Sequence, residues 1–295
     1  IFILMDNYIV GIGEVLWDHF EDKDDYVLGG APFNFAYHIN QFGLNSVVIS
    51  AIGNDKLGQK LEADVRKKNV PYMLERLNLP TGVVNVKEVD GKPRYDILTE
   101  RAWDYIPNTE QLKEIAANTK AVCFGSLAQR SETSRNSIFA FLDAMPSDAL
   151  RIFDINLRQN WYTEEVIKTS LQKANVLKIN DDELLIIQRM FGYIDITPEN
   201  TCRLIMRDYQ LDMLILTCGD KGSYIFTKDE MSYLSTNNIK VVDTVGAGDS
   251  FTASFIASIL LGKTILEAHR IAVNVSAFVC TQEGATPIIP DELKQ

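Results

Sequence analysis

Cysteine and histidine are scarce: four Cys (Cys123, Cys202, Cys218, Cys280) and three His occur in 295 residues. No two cysteines form a C-x-x-C pair and the histidines add no zinc-like spacing, which argues against a zinc ribbon or a dithiol redox site. Scattered thiols suit reduced cysteines in a cytoplasmic protein. Positive charge is also short, with 29 Lys+Arg against 40 Asp+Glu, a net charge of −11 and no basic run. A nucleic-acid surface needs clustered Lys and Arg, so no nucleic-acid partner is expected. Long apolar runs are missing. The opening IFILM is five apolar residues before Asp6, too short for a signal-peptide core or a membrane span. The stretch 251–261 is interrupted by Thr and Ser, so no membrane partner is expected either. Internal repeats and low-complexity linkers are absent.

What remains is 46% hydrophobic, enough for one large domain over residues 1–295. Its rhythm alternates strand and helix. YIVGIGEVL reads as a buried strand, and APFNFAYHINQFG as a helix with Pro32 in its first turn and Gly43 past its end. SVVISAIG, AVCFGS, RIFDINL, VLKIN and DMLILTCG read as further strands. LGQKLEADVRKKN, SETSRNSIFAFLDAM, TEEVIKTSLQKA, DDELLIIQRMF and a segment around 198–209 read as helices. Short apolar strands separated by helices predict an α/β fold, a mostly parallel sheet covered on both faces.

Two segments break the rhythm. Residues 81–106 read as antiparallel strands turning at Asp90-Gly91, and the acidic run 16–29 is too long for a strand-to-helix loop. Both are expected to leave the main sheet and form a small β lid over the strand ends, since long excursions in α/β domains are often covers.

The chemistry concentrates in DTVGAGDSFTASFI, residues 243–256. Its apolar run predicts a helix, ended by Gly262, whose first turn begins at Gly246, Ala247 and Gly248. A helix N-terminus offers unpaired N–H groups and partial positive charge, and glycines let a phosphate approach the backbone. Asp249 at that place suits a base that takes a proton from a hydroxyl attacking a phosphoryl group. The bland alternative is that Asp249 only caps the helix. The Walker pattern GxxxxGK[ST] is absent.

DTVGAGDSF resembles the C-terminal signature of the ribokinase/PfkB family of carbohydrate kinases, D-T-x-G-A-G-D-x-F. GGAPFNFAYHINQFG, residues 29–43, resembles that family's N-terminal Gly-Gly signature. GNDKLG (53–58), DINLR (154–158), KINDDE (178–183) and TCGDKG (217–222) match intermediate markers, so the resemblance covers nearly the whole chain. It implies a ribokinase-like fold, with Asp249 as general base and the amides of Gly246, Ala247 and Gly248 as an anion hole. It places Gly29, Gly30, Asn34 and Asp18, ending the GEVLWD strand, at the sugar hydroxyls, and Arg158 at the transferred phosphoryl group.

The same resemblance assigns Asn180 and Glu183 to the family's N-x-x-E motif, which organises Mg²⁺ and its waters; by pattern alone a helix N-cap pair explains these residues equally well. It assigns Thr217, Gly219 and Gly222 to ATP, with Asn274 near the adenine. It implies a monovalent cation such as K⁺ beside the anion hole, through Asp243 and the carbonyls of Val245, Val279, Gln282 and Gly284. Ile288 departs from the pattern, standing where a serine often contributes.

GIGEVLWD resembles the opening of fructokinases, G-E-x-L-x-D, more than that of ribokinases. A phosphosugar would call for added Arg or Lys in the pocket, whereas the Gly-Gly region is acidic. Trp103 in AWDYI is expected on the lid, where its face would cover the apolar side of a sugar, or else to pack between lid and core. The expected activity is transfer of the ATP γ-phosphoryl to a primary hydroxyl of a free hexose such as fructose. A ribose or nucleoside kinase, or a silent sugar-binding protein, are the alternatives. Edge strands on a lid can pair with a second lid, which makes a homodimer a plausible assembly.

Overall fold

A computed structural model describes residues 7–89 and 92–295. The IFILM segment and the Asp90-Gly91 turn therefore lie outside the described residues. Strand β1 (Tyr8–Ile12) is followed by β2 (Leu16–Phe20), β3 (Asp25–Gly29), helix α1 (Ala31–Gln41), β4 (Ser46–Gly53), α2 (Lys56–Lys67), β5 (Tyr72–Leu77), β6 (Val83–Val89) and β7 (Lys92–Ile97). Next come α3 (Glu110–Ala117), β8 (Thr119–Gly125), α4 (Glu132–Ala144), β9 (Leu150–Asp154), α5 (Glu164–Lys173), β10 (Val176–Asn180) and α6 (Asp181–Phe191). The chain continues through α7 (Pro198–Tyr209), β11 (Met213–Thr217), β12 (Ser223–Thr227), β13 (Met231–Leu234), α8 (Ala247–Leu260) and α9 (Ile265–Cys280).

Among the described residues the main sheet has nine strands in the order β13-β12-β11-β10-β9-β8-β1-β4-β5. It is parallel from β5 to β11, and β12 and β13 add an antiparallel edge. Because alternate strand residues face opposite sides, two cores form. Val10 and Ile12 join Val122, Phe124 and Leu177 on one face. Ile9 joins Ala121, Ile152 and Ile215 on the other, with Phe35 of α1 and Phe255 of α8. Burial of each large apolar side chain contributes roughly 2 kcal/mol. Helix α8 lies inside the protein despite its hydroxyls, because Ser254, Ser258 and Thr252 donate to carbonyls of their own helix at 2.6, 2.7 and 2.9 Å. Among the described residues no helix is long and apolar enough to cross a membrane.

A second sheet, β3-β2-β6-β7, takes both segments that broke the rhythm. Its pairs are antiparallel except β2–β6, which is parallel. Three sequence expectations need correction. YIVGIGEVL is not one strand: β1 stops at Ile12, Gly13 turns with φ +147°, and β2 starts a different sheet. Asp18 consequently lies in the middle of β2, opposite Val27 and Val84. The end of 81–106 is also not strand, because Ala102–Tyr105 forms a 3₁₀ turn.

The chain runs from β1 outward to β4 and β5, then returns to place β8 on the other side of β1. The crevice at the carboxyl ends of β1 and β8 is thus the topological switch point, where open α/β sheets bind their ligands. Glu14 follows β1 there, and Asp154 ends β9.

Candidate active site

The N-terminus of α8 points into this crevice. Gly246 is its N-cap in a left-handed conformation, φ +76°, and a Cβ there would stand 2.6 Å from Ala285, so only glycine fits. Asp249 sits in the first turn but makes no capping hydrogen bond. Instead its Oδ2 accepts from Nδ2 of Asn34 at 2.7 Å, joining two motifs 215 residues apart. The capping alternative thus gives way. The amide of Ala247 donates to Thr244 O at 3.3 Å. One of the three expected anion-hole amides thus has a backbone partner at the start of the helix.

Asp249 faces other acids. Burial pushes its carboxyl up to about 6, the charge of Asp154 adds to this, and the Asn34 hydrogen bond opposes it. Burial likewise holds Asp18 at about 6 and Glu14 at about 7, and Arg158 pulls both down. Arg158 is itself exposed, yet its charge acts on Glu14, Asp18 and Asp249 together. Gly29 and Gly30 wedge between these groups: a Cβ on Gly29 would meet Asp18 Oδ2 at 2.4 Å, and one on Gly30 would meet Glu14 O at 2.4 Å. A cavity of about 10 Å³, room for one water, lies beneath, lined by Glu14, Asp154, Asn156 and Asp249 with apolar neighbours.

Four participants carried no sequence assignment. Glu14 is 3% exposed, and among the described residues its Oε2 has no hydrogen-bond partner. Lys178 Nζ is paired with Asp154 Oδ1 at 3.1 Å, both side chains being buried, and a Cβ on Gly248 would stand 3.1 Å from that ammonium. Burial disfavours the charge on Lys178, but Asp154, Glu183 and Asp249 outweigh it and raise its pKa. Tyr95 of β7 has its phenol within electrostatic reach of Asp18, Arg158 and Asp243, with burial the main cause of its raised pKa. Glu14, Asp154 and Lys178 lie inside motifs already singled out. The available signal was a charged residue in an otherwise apolar strand, clearest in VLKIN.

Trp103 does not cover a sugar. It is 1% exposed, and Arg130 occupies its ring face at 4.0 Å from the centroid. The lid-to-core packing alternative is the one the structure adopts.

Asn180 and Glu183 form a capping box at the start of α6: Asn180 Oδ1 accepts from Glu183 N at 2.8 Å, and Glu183 Oε2 accepts from Asn180 N at 3.0 Å. Glu183 Oε1 accepts from Leu157 N at 2.9 Å. Each carboxylate oxygen keeps a lone pair, and among the described residues no group of three metal-ligating side chains occurs. This donor set fits a magnesium ion that retains its waters, not one stripped of them. Asp243 Oδ1 and Oδ2 accept from Val245 N at 3.0 Å and Gly284 N at 3.1 Å, which brings three expected cation-site residues together. Val279 O accepts from Gln282 N at 3.0 Å within the end of α9, and the Ile288 side chain is 81% exposed.

On the nucleotide side, Thr217 ends β11 and Gly219 begins a 3₁₀ turn in open space. Gly222 lies instead under β13, where a Cβ would meet Leu234 O at 2.3 Å. Thr236 Oγ1 donates to Gly219 O at 2.6 Å, and Asn237 Nδ2 donates to Asn274 Oδ1 at 3.0 Å. These contacts draw β11, the 236–237 loop and α9 around one surface.

A family model described as pfkB family carbohydrate kinase matches residues 15–292. The chain belongs to that family. Probable fructokinase-5 of Arabidopsis thaliana is 29% identical over 96% of this kinase and 94% of its own length. The ATP-dependent 6-phosphofructokinase of Thermoanaerobacterium thermosaccharolyticum is 28% identical over 96% of this chain and 91% of its own. Among solved structures, an uncharacterized sugar kinase of Pyrococcus horikoshii in complex with ATP superposes with a TM-score of 0.80 at 25% identity, covering 94% of each chain. The fold is ribokinase-like, and the protein is a carbohydrate kinase.

Proposed function

We propose that this kinase transfers the γ-phosphoryl group of ATP to a primary hydroxyl of a free hexose, fructose being the favoured acceptor. The observation that carries the reading is the Asn34–Asp249 hydrogen bond of 2.7 Å at the N-terminus of α8. It holds a carboxylate at a helix start, which attracts anions, beside Asn34, whose backbone amide donates to Gly30 O at 3.0 Å. Asp249 takes the proton of the acceptor hydroxyl. The oxygen so freed forms the new bond to the γ-phosphorus while the bond from that phosphorus to the β–γ bridging oxygen breaks, and ADP leaves. The amides of Gly246 and Gly248, the Lys178 ammonium and Arg158 offset the negative charge of the phosphoryl group in transit. Asp18 and Asn34 orient vicinal hydroxyls, and the four-stranded sheet is the lid that excludes water.

Thr217, Gly219 and Asn274 take the nucleotide, with ATP as phosphoryl donor. Glu183 holds Mg²⁺ through water, which when bound neutralises phosphate charge. Asp243, Val245 and Gly284 are the residues placed to hold K⁺. A free sugar is favoured over a phosphosugar because the charge acting on Asp18 is that of Arg158, already needed at the phosphoryl group. The fructokinase relative agrees with this choice and the phosphofructokinase relative supplies its rival.

The test is ADP release with MgATP against fructose, glucose, mannose, ribose, a nucleoside and fructose 6-phosphate, beside Asp249→Asn. Fructose turnover that drops about a thousandfold in the variant supports substrate and base together. Preference for fructose 6-phosphate or ribose, still lost in the variant, keeps the mechanism and overturns the substrate. Turnover that survives in the variant overturns the base.

A further inference from the structure

Gln159 and Trp161 belong to the loop between β9 and α5 that carries Arg158, and the site described above leaves both unused. Gln159 Nε2 donates to the carbonyl of Tyr95 in β7 at 2.8 Å. Its Oε1 accepts from Nε1 of Trp161 at 2.9 Å. Gln159 holds φ +50°, a left-handed conformation that a non-glycine residue keeps only where surrounding contacts enforce it. Trp161 continues the chain of contacts. Its ring centroid is 4.9 Å from the Arg130 guanidinium, which also lies 4.0 Å from the ring of Trp103. Arg130 is buried in a two-pronged pair with Asp104, at 2.7 and 2.8 Å, and it donates to the carbonyl of Leu98 at 2.7 Å.

Leu98 directly follows β7. The Arg158 loop is therefore fastened at two points: to β7 at Tyr95 through Gln159, and just past its end at Leu98 through Trp161 and Arg130. The residue types suit the task. A glutamine supplies a donor and an acceptor from one rigid amide, and a tryptophan supplies an N–H together with a ring face for a cation. Tyr95, the residue of the first fastening, also has its phenol within electrostatic reach of Asp18 and Arg158.

We propose that Gln159 and Trp161 are positioning residues that join the small sheet and the Arg158 loop into one moving unit. Seating of the sheet over the sugar and arrival of Arg158 at the phosphoryl group are then a single event. Without an acceptor the two lift together, which keeps ATP from being spent on water. The role given to Arg158 rests on the sugar-kinase reading; the fastening does not.

Hydrogen exchange on the ligand-free protein tests the fastening independently of substrate identity. In the wild type, amides in 94–98 and 156–161 open together, with rates within about threefold of each other. In Gln159→Ala the loop amides exchange about tenfold faster than those of β7, and in Trp161→Phe, which keeps a ring over Arg130 but loses the N–H, about threefold faster. Gln159→Gly separates the side chain from the backbone: it relieves the left-handed residue yet is as defective as the alanine variant. Rescue by glycine, or unchanged exchange in both Gln159→Ala and Trp161→Phe, overturns the proposal.

Turnover supplies the second readout. With MgATP and the best acceptor of the panel, Gln159→Ala loses about fivefold to tenfold in kcat, raises the acceptor KM and leaves the ATP KM unchanged. Wild-type kcat and acceptor KM in that variant overturn the coupling. Arg158→Ala with full turnover removes the phosphoryl role of Arg158 while leaving the exchange result standing.

Discussion

The proposed acceptor side and the proposed nucleotide side of this kinase are built on different principles. On the acceptor side, Glu14, Asp154 and Lys178 are 3%, 4% and 7% exposed, and charged groups act on one another across a crevice with little room for water. On the nucleotide side, Thr236, Asn237 and Lys221 are exposed or partly exposed, and the contacts run mainly through backbone carbonyls and amides. The difference follows from what each side has to do. A base must be held in a state it would not keep in water, which requires burial and opposing charges. A nucleotide needs shape and a few donors, which a turn supplies without buried charge. Changes on the two sides should therefore differ in size and in kind.

The largest effect is expected at the buried pair. Lys178→Met leaves the Asp154 carboxylate without its partner at a 4% exposed position, a loss of about 3–5 kcal/mol in unfolding free energy. Asp154→Asn combined with Lys178→Met recovers part of that loss, because no unpaired charge remains. Denaturant unfolding of the three proteins measures both numbers. A single variant as stable as wild type would mean that water reaches Asp154 and that the acceptor side is wetter than its burial indicates.

Next in size is pH dependence. In the proposed mechanism Asp249 acts as carboxylate, and its pKa is raised to about 6, so kcat/KM for the acceptor falls about tenfold per unit below that pH and is flat above it. Stability moves the opposite way. A carboxyl whose folded pKa lies above its unfolded value of 3.8 destabilises the fold as pH rises between the two, since the native state then binds more protons than the unfolded one. Asp249→Asn accordingly gains up to about 3 kcal/mol at pH 8 and nothing at pH 3.5. Thermal unfolding at the two pH values checks the sign. A variant that is less stable than wild type at pH 8 would show that the Asn34 hydrogen bond outweighs burial.

Asp18→Asn comes third. It keeps the shape of a group held at about 6 by burial but loses one charged acceptor toward the sugar, so the acceptor KM rises about tenfold to a hundredfold with little change for ATP. Equal changes in both KM values would erase the division between the two sides.

The contrast between the sides also marks what could be read from the sequence. VLKIN and DDELLIIQRMF coincide with Val176–Asn180 and Asp181–Phe191, since an apolar strand followed by an Asn cap and a 3.6-residue period leaves little choice. The switch-point crevice follows from that rhythm. Partners across the chain were less legible. Lys178 announces itself as a charge in an apolar strand, but nothing local says that Asp154, 24 residues earlier, is its counter-ion. Continuous apolarity across YIVGIGEVL hides the turn at Gly13. Trp103 lies in a segment expected to form the lid; nothing local says that Arg130, 27 positions away, occupies its ring face. The edge strands β5 and β13, and β12 beside β13, are also hard to see in the sequence, as short strands carry weak periodicity.

The smallest effect is expected at Asn274. Its Oδ1 accepts one exposed hydrogen bond from Asn237, at 3.0 Å, and α9 is otherwise anchored by Ile271, Val275 and Val279 in their own apolar cluster. Asn274→Ala therefore removes about 1 kcal/mol of loop fixation without disturbing the helix. The ATP KM rises about fivefold, while kcat, the acceptor KM and the pH profile stay those of the wild type. An altered kcat would mean that the 236–237 loop reaches beyond the nucleotide to the phosphoryl group. The nucleotide side would then share in the chemistry that its exposure assigns to the other half.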